Sequence, residues 1–320
     1  MQSTLSRNSL YWDDFELRIK ETANAIISGK TPPIRRVAVF ITDKCNFKCK
    51  YCNNTNKEQT LTEKKFESVL EKYGDTAIIH ITGGEPSVVP WLYPFLKNNG
   101  GKYKFHLNTN AYITPPFKSV KRLKISLDHQ DEKYWNCLVG REGAFNVVIE
   151  NIKQSIPHTI VSITYTLTKE NYKNAPHFAQ FINKSLPGLY AVFFSVYKGD
   201  NPLYIMTQND AEIFFSKILP ELESELQEES LALIHETIDE KIRLIKGIRF
   251  PQNIDSGNIC YLSMSERVIS PKGEEFTCSH LYRDGVNQTQ PKKQNKCAYG
   301  CNRRLVEFNN QVTLKIKETI

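Results

Sequence analysis

The sequence predicts an α/β fold, in which helices cross over a parallel sheet, followed by a second unit that carries cysteines. Strand-like runs alternate with helical segments over residues 35–205, an order typical of a parallel sheet. Five of the six runs also have one apolar and one polar face. The chain has 320 residues, of which 40% are hydrophobic, so it is long enough to bury the cores of two packed units.

The predicted elements follow from hydrophobic periodicity and from the turn residues between apolar runs. Strands are predicted at 36–42, 77–82, 103–108, 121–128, 160–168 and 190–197. The clearest helix between them carries Phe145, Val148, Ile149 and Ile152 at helical spacing. Other helices are predicted at about 10–28 and 208–247. This order divides the chain into a helical extension (1–34), a barrel-like unit (35–205) and a helical linker with a C-terminal unit (206–320).

The two faces of these strands differ in polarity. One face is apolar, includes Ile79, Leu107, Ile125, Ile163 and Phe194, and is expected to meet the helices. The opposite face is polar and carries His80, Thr82, His106, Asn108, Ser126, Asp128, Ser162, Thr164, Thr166, Ser195 and Tyr197. Strands of parallel sheets are usually apolar on both sides. If the sheet curls into a partial barrel, a polar interior indicates that it holds a polar ligand, ions or water.

Three cysteines, Cys45, Cys49 and Cys52, stand close together in a C-x3-C-x2-C arrangement. Thiolates hold iron–sulfur clusters, and a four-iron cluster normally takes four of them, so three leave one iron open to another ligand. The alternative is a structural zinc site that borrows a fourth cysteine or histidine from elsewhere. Zinc motifs usually carry separated pairs of cysteines, which this run lacks.

A glycine turn, Thr82-Gly83-Gly84-Glu85-Pro86, follows the apolar run at 77–81. Together with the three cysteines, it resembles the radical S-adenosylmethionine (SAM) superfamily over about residues 35–198. The resemblance implies a partial (β/α)6 TIM-like barrel of the radical SAM type. It also implies a [4Fe-4S] cluster at the three cysteines, whose open iron is chelated by SAM. In that family the reduced cluster cleaves SAM to a 5′-deoxyadenosyl radical, which takes a hydrogen atom from the substrate.

The resemblance also implies which residues contact SAM. The turn from Gly83 to Pro86, which includes Gly84 and Glu85, would contact the methionyl amine, and Tyr51 would lie near the adenine. The remaining expected contacts are Asn108, Ser126 and Asp128. Cys137 falls in a predicted loop after the strand that ends at 128, where a thiol would be able to donate a hydrogen atom to a substrate radical. The alternative for Cys137 is an ordinary buried thiol.

A second group of cysteines comprises Cys260, Cys278, Cys297 and Cys301. The segment from Cys260 to Cys278 has a C-x12-G-x4-C arrangement, which resembles the opening of the auxiliary-cluster domain called SPASM or its shorter form, twitch. Four cysteines saturate one [4Fe-4S] cluster and are too few for two, which favours the twitch form. Such a cluster would transfer electrons or support the fold. A zinc knuckle or four unmodified thiols are the alternatives.

The charge and hydropathy of the chain limit the kinds of molecule that it is expected to bind. The formal net charge is +7, and residues 291–304 contain five Lys or Arg and no acid, which would suit an anionic cluster or an anionic substrate group. Nucleic-acid binding is not favoured, because no recognisable module or interleaved aromatic pattern accompanies these charges. No apolar run is long enough to span a membrane, and the first residues lack the apolar core of a signal peptide. The expected location is the cytoplasm.

Three functions are compatible with the sequence. The first is a radical SAM enzyme acting on a small polar or phosphorylated substrate, with oxidation through the auxiliary cluster as one outcome and a flavodoxin- or ferredoxin-type protein as electron donor. The second is a radical SAM maturase that crosslinks, oxidises or epimerises a ribosomally made peptide. Such enzymes often carry a leader-binding domain larger than the 34 residues before the predicted barrel. The third is a non-catalytic binding protein stabilised by zinc.

Overall fold

The computed structural model describes residues 13–52, 58–237 except 198 and 200, 260–278, 282 and 303–319. The described residues form eight strands: β1 (Arg36–Phe40), β2 (Ile78–Thr82), β3 (Lys104–Thr109), β4 (Arg122–Ser126), β5 (Ile160–Leu167), β6 (Ala191–Val196), β7 (Glu266–Ile269) and β8 (Glu275–Phe276). The longer helices are α1 (Asp13–Ile27), α2 (Glu63–Tyr73), α3 (Leu92–Asn99), α4 (Glu132–Val139), α5 (Ala144–Ser155), α6 (Ala175–Ser185), α7 (Gln208–Ile213), α8 (Leu219–Glu225), α9 (Glu228–Thr237) and α10 (Arg303–Thr319). A π-helical segment, Phe214–Ile218, joins α7 to α8.

The six predicted strands are all present and alternate with helices, so the predicted α/β fold is confirmed. Helices α1 and α5 also lie where the hydrophobic spacing predicts them, and the helical region predicted from 208 is divided into α7, the π-helical segment, α8 and α9. Residues 238–247 of that prediction lie outside the described residues. No helix within the described ranges is both long and apolar enough to cross a membrane.

The chain divides into two compact units, each built from separate segments of the sequence. The first unit contains residues 1–40, 61–80 and 251–320, and the second contains 41–60 and 81–250. Strand β2 contributes residues to both. This division does not coincide with the sequence-based boundaries after residues 34 and 205, which stay a prediction.

In the second unit, strands lie in the order β6, β5, β4, β3 and β2, and β3 to β6 are parallel. The side chains predicted to face the helices are buried, including Phe105, Leu107, Ile125 and Ile163 at 0% exposure. Most side chains on the opposite, polar face are half-buried. The edge strand β6 is covered by α9, where Ser230 Oγ accepts a hydrogen bond from the Val192 N–H at 2.9 Å. This contact satisfies a backbone donor that an open sheet edge would leave exposed.

In the first unit, the strand order is β2, β1, β7 and β8. Strand β7 pairs in parallel with β1, from Arg36 opposite Glu266 to Val39 opposite Ile269. It then turns back through Gly273, whose φ of +84° favours glycine, to form an antiparallel pair with β8. Helices α1 and α10 share an apolar cluster with the short helical turn Leu262–Ser265, comprising Phe15, Ile19, Ala23, Leu262, Phe308 and Val312.

Two groups of ionic contacts, at Glu266 and at Glu275, hold the β7–β8 pair within the first unit. Arg18 of α1 donates to Glu266 Oε1 at 2.7 Å, and its guanidinium also lies 5.0 Å from the centre of the Phe308 ring. Glu275 of β8 accepts from Lys72 at 2.9 Å and from Arg267 at 3.0 Å. The Arg18 pair is the better shielded of the two, with side chains only 6% and 15% exposed. Removing one partner would therefore leave a charge in a buried setting.

We expect Arg18→Ala to lower the free energy of unfolding by about 3 kcal/mol, because it leaves the Glu266 carboxylate without its closest cation. Lys20→Ala, at an exposed position of the same helix, is the matched control and should change stability by less than about 0.5 kcal/mol. Urea unfolding followed by circular dichroism measures both. Equal effects of the two substitutions would show that the ion pair does not stabilise the fold.

Candidate functional site: the thiol loop and the glycine turn

The three clustered cysteines lie on a loop, residues 41–52, that belongs to the second unit. Cys45 and Cys52 are exposed and Cys49 is half-buried. The loop is fixed by backbone hydrogen bonds from the Lys48 and Lys50 N–H groups to the Val139 and Leu138 carbonyls, both 2.9 Å long. Because the last carbonyls of a helix have no partner within it, the end of α4 provides ready acceptors for this loop.

Cys45 and Cys49 lie in an environment that raises their pKa. Burial raises the pKa of Cys49 well above its ordinary value, and the nearby Asp128, Cys52 and Cys45 raise it further. Burial also raises the pKa of Cys45, against a hydrogen bond from the Phe47 N–H that lowers it. A bound cationic metal reverses this balance, since it stabilises thiolates directly. A metal site at this loop would therefore release protons when the metal binds.

The donor set fits a cluster better than a single ion. Among the described residues, no group of three or more His, Cys, Asp or Glu side chains converges closely enough to hold one metal ion. An iron–sulfur cluster does not require such convergence, because each thiolate binds a different iron. Three thiols on one short, fixed loop therefore match the predicted [4Fe-4S] group.

The glycine turn packs directly against the backbone that precedes Cys45. The Gly84 N–H donates to the Thr42 carbonyl at 2.6 Å, and the Glu85 N–H donates to the Lys44 carbonyl at 2.8 Å. A Cβ atom on Gly83 would collide with the Thr42 carbonyl oxygen, and one on Gly84 with that of Lys44. Gly83 also has φ +146°, which L side chains rarely adopt. Both glycines are thus required for the two motifs to approach each other.

Glu85 is buried, with 1% exposure, and its carboxylate accepts hydrogen bonds from other groups of the protein. Oε1 accepts from Thr109 Oγ1 at 2.6 Å and from the Ser87 N–H at 2.9 Å, while Oε2 accepts from the Asn110 N–H at 2.6 Å. Burial raises the pKa of this carboxyl, and the hydrogen bonds from Asn110, Thr109 and Ser87 oppose the rise. Glu85 therefore joins the turn to the end of β3.

Asn110 and Arg141 extend this network into the thiol loop. The Asn110 side chain donates to Asn46 Oδ1 at 2.7 Å, and Arg141 donates to the Asn46 carbonyl at 3.2 Å. The Arg141 guanidinium also lies 4.0 Å from the centre of the Tyr112 ring. Asn46 lies next to Cys45, so these contacts fix the backbone between the first two thiols. The adjoining Ala111 has φ +55°, a strained conformation for a residue with a side chain.

Tyr51 and Asp128, predicted SAM contacts, are hydrogen-bonded to each other. Asp128 is 2% exposed, and its other oxygen accepts from the Thr166 N–H at 2.5 Å. Burial raises the pKa of Asp128, while the bonds from Tyr51 and Thr166 lower it. The Tyr51 ring makes edge contacts with Tyr197 and Tyr204, at centroid distances of 6.3 and 6.1 Å. These contacts fix the orientation of the aromatic ring next to Cys52.

The other predicted site residues lie on the same unit. Asn108 of β3 is half-buried, and Ser126, which ends β4, is exposed; both are on the polar face. Cys137 is exposed and lies within α4, so the predicted loop at this position is wrong; Asp131 caps this helix by accepting from the Tyr134 N–H at 2.7 Å. The Cys137 sulfur accepts a hydrogen bond from Lys50 Nζ at 3.0 Å, which brings the thiol beside the cysteine loop.

Two of the four C-terminal cysteines are described, and both belong to the first unit. Cys260 packs against the cluster around Phe15 and Phe308, and Cys278 follows β8 and packs near Phe276. The glycine of the C-x12-G-x4-C arrangement is Gly273, in the turn between β7 and β8. Cys297 and Cys301 lie outside the described residues, as does the basic stretch from 291 to 302.

Several residues that build this site were not found by sequence reasoning, namely Asn46, Thr109, Asn110, Arg141 and Thr166. Their contacts join positions far apart in the chain, and hydrophobic periodicity does not report such contacts. The run Asn108-Thr109-Asn110 after a predicted strand was the available signal. Its second and third residues bind the Glu85 carboxylate, and the third also reaches the thiol loop.

We expect Gly84→Ala to lower the free energy of unfolding by at least about 2 kcal/mol, because its Cβ collides with the Lys44 backbone and forces the two motifs apart. Gly101→Ala is the matched control, since a Cβ there has no neighbour within 4 Å, and it should leave stability within about 1 kcal/mol of the wild type. Thermal and urea unfolding test the difference. If both variants unfold alike, the close approach does not constrain the loop.

The Tyr51–Asp128 contact can be measured by a double-mutant cycle. Tyr51→Phe removes a donor from a buried carboxylate and should cost about 1–3 kcal/mol of stability. In an Asp128→Asn background, the same change should cost at least about 1 kcal/mol less, because the charged acceptor is gone. Urea unfolding of the four proteins gives the coupling energy. Additive effects would mean that the two side chains do not stabilise each other.

Comparison with known proteins shows which family and which relatives this chain resembles. Residues 39–182 match the model of the radical SAM superfamily. A probable GTP 3′,8-cyclase of Methanopyrus kandleri is 25% identical over 156 residues, which are 45% of this chain and 51% of that protein. The GTP 3′,8-cyclase of Staphylococcus carnosus is 26% identical over 145 residues, 39% of this chain and 43% of its own. The chain thus spans about half the length of the curated relatives it matches.

Solved structures resemble the fold. SuiB of Streptococcus suis bound to S-adenosylmethionine superimposes with a TM-score of 0.60 at 16% identity, covering 87% of this chain and 68% of that one. The enzyme anSMEcpe with bound AdoMet and a peptide gives a TM-score of 0.55 at 15% identity, covering 89% and 84%. At such low sequence identity, these similarities concern the fold alone. They confirm the predicted partial barrel of the radical SAM type. Over residues 39–182 the chain is therefore similar to the radical SAM superfamily of enzymes.

Proposed function

We propose that this protein is a radical SAM enzyme that holds a [4Fe-4S] cluster at Cys45, Cys49 and Cys52. The observation that carries the proposal is the hydrogen-bonded fixation of the thiol loop to the glycine turn, through Gly84 and Glu85. A loop that served only as a surface connection would not need two glycines at positions where a Cβ collides with backbone. When bound, the cluster supplies the electron that cleaves SAM to a 5′-deoxyadenosyl radical.

The residues of the second unit have distinct roles in this proposal. Tyr51 faces the adenine, its orientation held by Asp128 and two neighbouring tyrosines. Asn108 and Ser126, on the polar face, donate and accept hydrogen bonds with SAM. The backbone of Gly83 to Pro86 contacts the methionyl amine, while the Glu85 carboxylate acts through the turn that it holds. Cys137, exposed beside Lys50, donates a hydrogen atom only if the reaction needs one.

The proposed substrate is a small polar or phosphorylated molecule. A half-buried polar face on β3 to β6 supports this assignment, because polar groups in an interior are stabilised by a polar ligand. The names of the curated relatives, GTP 3′,8-cyclases, are consistent with a phosphorylated substrate. A flavodoxin- or ferredoxin-type protein in the cytoplasm would donate the electron that reduces the cluster.

A second [4Fe-4S] cluster is proposed at Cys260, Cys278, Cys297 and Cys301, in a twitch-like auxiliary domain. The turn at Gly273 between β7 and β8, followed closely by Cys278, supports this assignment. A cluster with four thiolates has no open iron, so it would accept an electron from the product radical or stabilise the domain. If the auxiliary cluster accepts this electron, the overall reaction oxidises the substrate.

A peptide substrate is the second candidate. SuiB has been solved bound to its precursor peptide SuiA, and anSMEcpe with a bound peptide, and both resemble this fold. This protein would then be a maturase that crosslinks, oxidises or epimerises a ribosomal peptide. A short open reading frame for a peptide beside the gene would favour the maturase, and its absence would favour the small-molecule substrate. A zinc-stabilised binding protein accounts for neither the glycine turn nor the polar face.

The two cluster assignments are tested by separate variants. Anaerobically reconstituted wild-type protein should contain about eight irons per chain. Replacing Cys45, Cys49 and Cys52 by Ala should remove about four of them and reduce 5′-deoxyadenosine formation from SAM to the background level. Replacing Cys297 and Cys301 by Ala should also remove about four irons but leave SAM cleavage intact. Elemental analysis and chromatographic detection of 5′-deoxyadenosine give both readouts.

The control for these variants is Cys137→Ala, which should keep about eight irons per chain. Continued 5′-deoxyadenosine formation in the triple variant would exclude the proposed site for the cluster. Zinc in place of iron in the wild-type protein would favour the binding protein instead. About four irons and one zinc per wild-type chain would still support the radical SAM assignment, and would assign the zinc to the C-terminal cysteines.

A further inference from the structure

The peptide group that joins Asn46 to Phe47 is hydrogen-bonded on both sides, and one of these bonds goes to a thiol. Its carbonyl accepts from Arg141 Nη1 at 3.2 Å, and its N–H donates to the Cys45 sulfur at 3.4 Å. A hydrogen bond at the carbonyl polarises a peptide group and strengthens the bond that its N–H makes. Arg141 therefore acts on the Cys45 sulfur through this peptide, without a direct contact.

The end of α4 brings Arg141 to the thiol loop. Gly140 ends the helix with φ +67°, and its N–H donates to the Asn136 carbonyl, a turn that favours glycine. A Cβ atom on Gly140 would lie 3.2 Å from the Lys48 carbonyl oxygen, so the helix end lies close against the loop. Arg141 is the first residue after this turn, and its side chain reaches Asn46.

Packed rings hold the Arg141 side chain and the peptide in place. The guanidinium lies 4.0 Å from the centre of the Tyr112 ring, a favourable cation–π contact. The Tyr112 ring contacts the Phe47 ring at a centroid distance of 5.7 Å, and Phe47 contacts Trp135 at 5.8 Å. Phe47 and Trp135 are buried. These contacts limit the rotation of the guanidinium and of the residue whose N–H faces Cys45.

Arg141 differs from the lysines near the thiols. Lys44, Lys48 and Lys50 belong to the thiol loop itself, but all three are exposed. Salt and water screen exposed charges strongly, whereas a partly buried charge is screened much less. Of these four cations, Arg141 is the one that is half-buried and bonded to the peptide next to Cys45.

We propose that Arg141 is a positioning residue that raises the reduction potential of the cluster at the thiol loop. It fixes the Phe47 N–H toward the Cys45 sulfur and adds a positive charge beside that peptide. Both effects favour the reduced cluster, which carries one more electron, supplied by the donor protein. The inference rests on the proposed function for the presence of the cluster, but the hold of Arg141 on the peptide is measurable without it.

The first experiment measures hydrogen–deuterium exchange of the Phe47 N–H in protein without iron, resolved by fragmentation mass spectrometry. Arg141→Met removes the bond to the carbonyl and should make this exchange at least about tenfold faster. Arg141→Lys keeps a cationic donor and should change the rate by less than about threefold. The matched control is Lys44→Met, which removes an exposed cation next to Cys45 and should leave the rate unchanged. Equal exchange in the wild type and in Arg141→Met would overturn the proposal.

The second experiment measures the midpoint potential of the cluster in reconstituted protein by redox titration followed by electron paramagnetic resonance. The signal to follow is the one that the triple variant of Cys45, Cys49 and Cys52 lacks. Arg141→Met should lower the equilibrium constant for one-electron reduction about tenfold, which is about 59 mV. Arg141→Lys and Lys44→Met should change it by less than about threefold. Circular dichroism and iron content check that each variant folds and holds its cluster.

An unchanged potential in Arg141→Met would overturn the proposal. An equal shift in Lys44→Met would also overturn it, because the effect would then belong to nearby charge in general. If Arg141→Met loses its iron, Arg141→Gln, which keeps a neutral donor, replaces it in the titration with the same expected direction. No shift in that variant would likewise overturn the proposal.

Failure of this inference and failure of the proposed function give different results. A wild-type protein that shows the expected shift on substitution of Arg141 but forms no 5′-deoxyadenosine would keep the inference and exclude the proposed function. SAM cleavage with an unshifted potential would exclude the inference alone. A wild-type protein that binds no iron would exclude both.

Discussion

The buried carboxylate of Glu85 is the contact on which the arrangement of the site depends. A carboxylate with 1% exposure is costly to bury unless several donors surround it, and here the donors are the Ser87 N–H, the Thr109 hydroxyl and the Asn110 N–H. Those donors come from the glycine turn and from the end of β3. Asn110 then uses its side chain to hold Asn46 in the thiol loop. One buried charge thus fixes three segments that are distant in sequence.

A consequence is that contacts with the rest of the protein organise the loop. Its N–H groups at Lys48 and Lys50 bond to the end of α4, and the glycine turn bonds to the residues before Cys45. At the same time burial raises the pKa of Cys45 and Cys49, which favours their protonated forms. A cluster would bind to a prearranged backbone and expel protons, so its affinity should rise with pH.

The sequence predicted the parts of this molecule that are periodic. Alternating polarity predicts β2 to β6, and every side chain assigned to the apolar face is buried. A one-residue error in the alternation would exchange the two faces, so this burial shows that the faces are assigned correctly. The pairing of β7 with β1 was not predictable, since no pattern within Glu266–Ile269 specifies a partner far away in the chain. The same holds for Asn46, Asn110 and Arg141, whose contacts depend on the folded geometry alone. The sequence predicts a loop at Cys137 because the helix that contains it, α4, is short and of mixed polarity.

The polar face of the sheet is the feature that a stable fold alone does not explain. Within this face Arg122 bonds to Ser162, and Asp128 bonds to Tyr51 and to the backbone of Thr166. The bonds of Asp128 lie beside the thiol loop, whereas Lys124 and Arg122 lie two and three rows back along β4. The charge on this face is therefore graded, with the acid near the cysteines and the cations deeper in the strand.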